Sequence, residues 1–256
     1  MNKISEIFKN KKCLITYLTA GDPNIEKTAE YIIAMSKSGA DLIEIGIPFS
    51  DPTAEGEVIQ NAMKRALKND VSIDDIFAAV SKVKKEIAAP LAFMTYLNPV
   101  FNYGYANFFK KCRETGVCAV IVPDMPYEER GEIKDFAARN EIAIITLIAP
   151  TSKERIKTLA ANAQGFIYLV SSLGVTGVRN EITTDIGGII DEIKKVSNIP
   201  VAVGFGISTP QQAKEMTKYA DGVIVGSAIV KIIARHGVNA SQKLSEYVSS
   251  LKKAID

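Results

Sequence analysis

The stretch Asp41–Gly46, DLIEIG, is an almost continuous apolar run, and the chain continues from it through IPFSD to Asp51. Such a run is typical of a strand buried on both faces of a parallel sheet, whereas a strand with one wet face alternates apolar and polar residues. Runs of the same character predict seven further strands, at Cys13–Leu18, Leu91–Thr95, Cys118–Val122, Ile142–Leu147, Gly165–Val170, Pro200–Gly204 and Asp221–Val225.

Amphipathic helical patterns separate these runs. Pro210 suits the first turn of a helix that Ser208 or Thr209 would cap. The long segment after the second strand predicts an extra loop and helix. The predicted helices are Ile25–Ser38, Ile73–Ala88, Tyr105–Thr115, Glu128–Arg139, Ser152–Ala161, Thr184–Val196 and Pro210–Tyr219.

Alternation of strands and helices predicts an α/β fold with a parallel sheet, either open and doubly wound or closed into a barrel. The 256 residues divide into eight strand–helix units, and eight units in a chain of this length favour the closed form. We therefore predict a single-domain (β/α)8 TIM barrel over residues 1–256, with its active site at the carboxyl ends of the strands.

Composition excludes several classes of function. Lys plus Arg number 31 and Asp plus Glu number 29, so a net charge of +2 argues against nucleic acid as a partner. No apolar stretch approaches the roughly 18 residues that span a membrane, and the charged N-terminus lacks a signal-peptide core, so we expect a soluble, cytoplasmic protein. The three cysteines form no C-x-x-C pair, which argues against disulfides and zinc.

The single histidine restricts the chemistry. His236 fits the last turn of a helix before Gly237, and one histidine cannot build a two-histidine metal site. Acid–base chemistry then falls to carboxylates, tyrosine or lysine. Glu44 is the first candidate, because it interrupts an apolar run. It is either an unpaired carboxylate with a raised pKa, suited to catalysis, or a buried residue paired with Lys or Arg for stability.

Glycines follow the seventh and eighth predicted strands. Gly204-Phe205-Gly206 and Gly226-Ser227 would let backbone N–H groups bind a phosphate, although tight βα turns also use glycine. The loop SSLGVTGVRN, which contains Thr176, is either a lid or a plain glycine-rich loop. Aromatic residues near strand ends either wall a flat substrate or pack the core, and they are Tyr17, Phe49, Tyr96, Tyr168 and Phe205.

Seven segments, in order along the chain, resemble the tryptophan synthase α subunit family. They are LTAGDP (Leu18–Pro23), DLIEIGIPFSDPTAEG (Asp41–Gly56), MTYLNPVFNYG (Met94–Gly104), VPDMPYEE (Val122–Glu129), LVSSLGVTG (Leu169–Gly177), VGFGIS (Val203–Ser208) and VIVGSAIVK (Val223–Lys231). The resemblance implies a barrel enzyme that cleaves indole-3-glycerol phosphate to indole and glyceraldehyde 3-phosphate without metal or cofactor. It also implies a β-subunit partner, in an α2β2 heterotetramer, in which pyridoxal phosphate joins indole to serine.

The resemblance also assigns roles to residues of this sequence. It makes Glu44 the catalyst of proton transfer and places Tyr168 beside it. Substrate binding falls to Tyr17, Tyr96, Tyr168, Thr176, Gly177, Gly206, Gly226 and Ser227. Coupling of the loops to the partner subunit falls to Asp51, Asp124 and Arg179.

One position departs from the family pattern. The family has Ala-Asp-Gly where this sequence has Ala54-Glu55-Gly56, and the family's aspartate binds the indole N–H and stabilises positive charge on the ring. The added methylene of Glu55 displaces the carboxylate by roughly 1 Å, a shift that can cost on the order of 100-fold in rate. The alternatives are a weakly active regulatory subunit and another phosphate-binding barrel enzyme, such as a sugar-phosphate epimerase or isomerase.

Overall fold

The computed structural model describes residues 3–150, 153–170, 185–204 and 206–256. Its strands are β1 (Cys13–Thr19), β2 (Leu42–Gly46), β3 (Leu91–Met94), β4 (Val117–Ile121), β5 (Ala143–Ile144), β6 (Thr146–Ile148), β7 (Ile167–Val170), β8 (Val201–Gly204) and β9 (Gly222–Val225). All pair in parallel, in the spatial order β5-β4-β3-β2-β1-β9-β8-β7-β6. The sheet is a nearly closed barrel, which confirms the predicted fold class.

The fifth predicted strand is divided in two, which is why nine strands replace the predicted eight. Residues 143–144 pair with β4 and residues 146–148 pair with β7, so the chain changes partner at Ile145. The Ile145 N–H still donates to the Val120 oxygen at 2.9 Å. The two edges of the sheet are therefore joined by the chain itself.

Helices cover the outside of the barrel. In the described part of the chain they are α1 (Lys3–Ile7), α2 (Ile25–Lys37), α3 (Glu57–Leu67), α4 (Ile73–Val83), α5 (Leu97–Tyr103), α6 (Tyr105–Thr115), α7 (Gly131–Arg139), α8 (Lys153–Ala161), α9 (Ile186–Lys194), α10 (Pro210–Met216), α11 (Ser227–His236) and α12 (Ser241–Ile255). Helix α3 is the helix that the long segment after β2 predicts. The last turn of α11 holds His236, as predicted, with Gly237 after it.

Local capping explains which helix boundaries agree with the predictions. Helix α10 begins after Thr209, whose hydroxyl accepts from the Gln212 N–H while the Gln212 side chain accepts from the Thr209 N–H. Helix α6 ends at Gly116, which has φ +87° and stops the helix where predicted. Helix α4 ends at Val83 instead of Ala88, because the chain leaves the helix in a turn that leads to Pro90.

Two layers of apolar side chains stabilise the barrel. Small residues dominate part of its interior, where Ala92, Ala119, Ala143 and Ala202 point inward with larger side chains around them. Between the strands and the helices lies a second layer, in which the rings of Phe77, Phe93 and Phe108 pack together. In the described ranges no helix has the length and apolar character needed to cross a membrane.

Candidate active site

A cavity of about 450 Å³, counted to its open mouth, lies at the carboxyl ends of the strands. Its walls are formed by Tyr17, Glu44, Glu55, Ile59, Met94, Tyr168, Gly206, Ile207, Ile224, Gly226 and Ser227. Seven of the predicted site residues thus line one cavity, although the first and the last of them are more than 200 positions apart in sequence.

Glu44 is buried in the middle of β2. It is 1% exposed, and its register partners are Tyr17 on β1 and Ala92 on β3. Neither carboxylate oxygen has a hydrogen-bond partner among the described residues. Burial, and after it the charge of the nearby Glu55 carboxylate, raises the pKa of Glu44 to about 8. The geometry therefore matches the unpaired carboxylate and not the residue held by an ion pair.

Glu55 reaches the same cavity from the loop before α3. It is 3% exposed, and its backbone oxygen accepts from the Gln60 side chain at 2.7 Å. Ile59 and Met63 bury one face of α3 against the barrel interior. This packing fixes the helix and brings the carboxylate inward. A carboxylate from a strand and a carboxylate from a loop therefore share one cavity with restricted access to water.

Two buried tyrosines stand beside the carboxylates. Tyr17 and Tyr168 are each 5% exposed, and burial followed by the charges of Glu44 and Glu55 raises the pKa of both hydroxyls well above the usual value. Both therefore stay protonated at neutral pH. The Tyr17 hydroxyl lies 3.2 Å from the Thr19 hydroxyl.

Another part of the cavity wall is formed by glycines and by the start of α11. Gly226 precedes the first turn of α11 and Ser227 begins it, so the first N–H groups of this helix, which have no helical partners, lie beside the cavity that both residues line. Gly206 has φ +97°, a conformation that favours glycine. Among the residues that the structure describes, no Lys or Arg lines the cavity, so in this part of the wall a bound phosphate would depend on N–H groups, the Ser227 hydroxyl and the helix dipole.

Other predicted residues lie outside the cavity wall. The Tyr96 hydroxyl accepts from the Ala54 N–H at 3.0 Å, and the ring stacks on Phe49 with centroids 5.3 Å apart. Tyr96 thus supports the loop that carries Glu55. Burial raises the pKa of Tyr96, and the Glu55 charge adds to the shift.

Asp51 and Asp124 also lie outside the wall. Asp124 accepts from the Leu97 N–H at 3.0 and 3.2 Å, which ties the loop after β4 to the first residue of α5. Asp51 is exposed and accepts from Ser50. Thr176, Gly177 and Arg179 lie outside the described residues, as does Phe205.

Sequence reasoning missed the reason for two glycines. A Cβ on Gly46 would fall on the Tyr17 hydroxyl, and one on Gly204 would lie 2.6 Å from the Tyr168 hydroxyl. Each glycine ends a strand and makes room for the tyrosine of the neighbouring strand. Neither has the positive φ that usually explains a glycine, so the only signal in the sequence is a strand-end glycine beside a strand with a tyrosine.

The described residues contain no cluster of three or more His, Cys, Asp or Glu side chains that could hold a metal ion. The three cysteines, Cys13, Cys112 and Cys118, are buried free thiols. The described groups that can do chemistry in this cavity are two carboxylates and two tyrosines, next to the start of α11.

Comparisons with known proteins agree with this geometry. The family model "Tryptophan synthase alpha chain" matches residues 5–256. The tryptophan synthase alpha chain of Lacticaseibacillus casei is 45% identical over 256 residues, which cover 100% of this chain and 96% of the relative. That of Thermoanaerobacter sp. (strain X514) is 45% identical over 263 residues, and both chains are covered completely.

Solved structures show the same likeness. Tryptophan synthase subunit alpha from Legionella pneumophila str. Paris superposes with a TM-score of 0.91 at 37% identity, covering 100% of this chain and 99% of that one. A Mycobacterium tuberculosis tryptophan synthase structure superposes with a TM-score of 0.90 at 32% identity, covering 99% and 98%. Since the family model and the relatives match almost from end to end, this chain belongs to the tryptophan synthase alpha chain family.

Proposed function

We propose that Glu44 is the general acid and base of the reaction that this chain catalyses. By its family the chain is a carbon–carbon lyase of tryptophan biosynthesis, which cleaves indole-3-glycerol phosphate to indole and glyceraldehyde 3-phosphate. The observation that carries the proposal is the Glu44 carboxylate, which is 1% exposed and has no hydrogen-bond partner among the described residues. It faces a cavity whose other wall can bind an anion.

The raised pKa of Glu44 determines the order of the proton transfers. With a pKa of about 8 the carboxyl group is mostly protonated at pH 7, so it first donates a proton to indole C3. The resulting carboxylate then takes the proton of the glyceryl hydroxyl. As that hydroxyl becomes an aldehyde, the bond to C3 breaks and its electron pair returns to the ring. Glu44 ends protonated, ready for the next cycle.

Glu55 stabilises the intermediate in this scheme. Protonation of C3 leaves a positive charge on the indole ring, centred on its nitrogen. A carboxylate fixed in a cavity that excludes water stabilises such a charge more strongly than the same group in bulk water. Glu55 is 3% exposed and faces the same cavity as Glu44, which supports this role despite its additional methylene.

The phosphate of the substrate binds at Gly206, Gly226 and Ser227. A helix N-terminus with N–H groups that lack helical partners is suited to a dianion. Tyr17 and Tyr168 enclose the ring between this seat and the carboxylates. Thr176 and Gly177 belong to a lid over the substrate, and Asp51, Asp124 and Arg179 couple the loops to the partner, as the family resemblance implies.

The partner is a β subunit. Structures of the family include tryptophan synthase from M. tuberculosis, which supports a complex of this kind. We propose an α2β2 heterotetramer in the cytoplasm, with this chain as one domain. The cleavage needs no cofactor in this chain, and pyridoxal phosphate belongs to the β subunit.

Indole release from indole-3-glycerol phosphate by the purified chain tests the proposal. We expect release by this chain alone and faster release when a β subunit is added. Inorganic phosphate should compete with the substrate, and dephosphorylated indole-glycerol should be cleaved far more slowly. No release in either condition, together with activation of the β subunit, would identify a regulatory subunit instead. Equal cleavage of the dephosphorylated compound would contradict the phosphate seat.

A further inference from the structure

The ring of Tyr17 connects the two halves of the proposed site. Tyr17 lies on β1, between β2, which carries Glu44, and β9, which leads to Gly226. Its register partner on β2 is Glu44 itself, so the two side chains leave neighbouring strands at the same height. Both point into the barrel, because both line the cavity.

One end of the side chain rests against the phosphate seat. A Cβ built on Gly226 would lie 3.4 Å from Tyr17 Cβ, 3.5 Å from Cδ1 and 3.6 Å from Cγ, which is ordinary van der Waals contact. The base of the ring therefore packs beside the residue that precedes α11. It sets how closely the backbone of the phosphate seat can approach β1.

The other end of the ring is held at β2. A Cβ on Gly46 would fall on the Tyr17 hydroxyl and would lie only 2.7 and 2.8 Å from Cζ and Cε2. The hydroxyl lies 3.2 Å from that of Thr19, which is completely buried. Gly46 follows Glu44 by two residues on the same strand, so the tip of the ring is fixed against the strand that carries the acid–base group.

From these contacts we infer that Tyr17 is a positioning residue, whose ring acts as a rigid spacer between the phosphate seat at Gly226 and the carboxylate of Glu44. This inference rests on the proposed function. The substrate has its phosphate at one end of the glyceryl chain and the reacting hydroxyl at the other, so both must be held at a fixed separation. Misplacement of reacting groups by about 1 Å can cost on the order of 100-fold in rate.

Tyr17→Leu removes the spacer and leaves an apolar side chain. We expect kcat to fall by roughly 10-fold to 100-fold while the inhibition constant of inorganic phosphate changes by less than about threefold, because the seat is made of backbone. Water should enter beside Glu44 and lower its pKa, so that the limb of the kcat/KM profile near pH 8 moves to lower pH. Tyr17→Phe keeps the ring, so its kcat should lie within about fivefold of the wild-type value. The limb of its kcat/KM profile should stay near pH 8.

Phe93→Leu is the matched control. Phe93 is completely buried and lies on β3, on the other side of β2 from Tyr17, but it packs in the outer layer and not at the cavity. It should lower the melting temperature through the lost packing and leave the pH limb where it is. If Tyr17→Leu does not fold, Tyr17→Met provides the same test with a longer flexible side chain.

A double-mutant cycle with Gly46 tests the contact directly. Gly46→Ala should lower kcat strongly when Tyr17 is present and much less in the Tyr17→Leu background, since the added methyl group then enters vacated space. Additive losses would overturn the spacer, and so would a Tyr17→Phe loss as large as that of Tyr17→Leu. If Glu44→Gln is inactive while Tyr17→Leu keeps wild-type kcat and pH limb, the proposed function stands and the spacer is wrong.

Discussion

Two buried carboxylates, one just before β2 and one in the middle of it, show how differently the barrel treats the same chemical group. Asp41 precedes the strand at the amino end of the barrel and accepts from Lys11, from Lys252 at 3.0 Å and from the Leu14 N–H at 2.9 Å. Glu44 lies three residues later and has no hydrogen-bond partner among the described residues. Asp41 is 9% exposed and Glu44 is 1% exposed, so burial alone does not separate them.

The difference between them is the presence of donors. Lysines and a backbone N–H compensate the lost hydration of Asp41, and Lys252 thereby ties α12 to the amino end of the barrel. No donor in the described part of the chain compensates Glu44, so its burial destabilises the ionised form and raises its pKa to about 8. Removing a buried carboxylate that has donors leaves those donors unpaired and destabilises the fold, whereas a buried carboxylate without donors is available for proton transfer.

Glu44→Gln should produce the largest effect. The amide keeps the shape of the side chain and cannot transfer a proton, so kcat for indole release should fall between about 100-fold and 10,000-fold. The free energy of unfolding should stay the same or rise, since an uncompensated carboxylate is removed. Steady-state kinetics and urea denaturation of the same preparation check both. Near-normal turnover would contradict the assignment of Glu44.

Glu55→Ala should have the next largest effect on catalysis. Without this carboxylate the positive charge on the indole ring loses its stabilising partner, and kcat should fall by about 100-fold to 1000-fold. Glu57→Ala is the matched control, because Glu57 is an exposed carboxylate two residues later at the start of α3. If the Glu55→Ala variant is as active as the Glu57→Ala control, Glu55 has no role in catalysis.

Asp41→Ala should show the opposite signature from Glu44→Gln. It leaves the partly buried Lys252 and the Leu14 N–H without their acceptor, and we expect a loss of about 3 kcal/mol in the free energy of unfolding. The activity of the folded fraction should stay near that of the wild type, because Asp41 is at the far end of the barrel. A fall in the kcat of fully folded Asp41→Ala protein would contradict the distinction between a structural Asp41 and a catalytic Glu44.

The pH dependence of stability sharpens the same comparison. The folded-state pKa of Glu44, about 8, lies above its ordinary value of 4.5, so between these values the unfolded chain has lost a proton that the folded chain keeps. The contribution of Glu44 to the free energy of unfolding is therefore fully present below about pH 4.5. It declines as the pH rises and is lost above about pH 8. Relative to Glu44→Gln, the wild type should lose about 2 kcal/mol between pH 6 and pH 8. Urea denaturation at both pH values measures this, and parallel slopes would show that Glu44 is solvated.

Much of the fold could be predicted from the sequence, because each buried strand is a local pattern. Asp41–Gly46 differs from the observed β2 by one residue, and Gly116 stops α6 where expected. The break at Ile145 could not be predicted, because a strand that changes partner has the same apolar pattern as one that does not. The pattern of α4 continues past Val83 in residues that the structure leaves in a turn.

The candidate site also has features that the sequence predicts and features that it does not. Glu44 stands out because a carboxylate in an apolar run is costly, and the glycines after β8 and β9 are a local signal for an anion seat. The ion-pair set of Asp41 could not be predicted, since Lys252 is 211 residues away. The need for Gly46 was equally hidden, because it comes from a ring on the neighbouring strand and not from the glycine's own backbone.

Glu55→Asp should have the smallest effect. It tests whether the reaction tolerates a change in the position of the Glu55 carboxylate. The structure holds Glu55 in a loop supported by Tyr96 and Gln60, with its side chain buried at the cavity. If the loop already accommodates the additional methylene, shortening the side chain should change kcat by less than about tenfold in either direction. If Glu55 instead weakens the enzyme, the aspartate variant should gain on the order of 100-fold, because the carboxylate returns to the position that the chemistry requires. We expect the first result, since burying a carboxylate to 3% exposure beside Glu44 costs stability, and use in the reaction accounts for a side chain kept at that cost. The kcat ratio of the two proteins at saturating substrate decides between them.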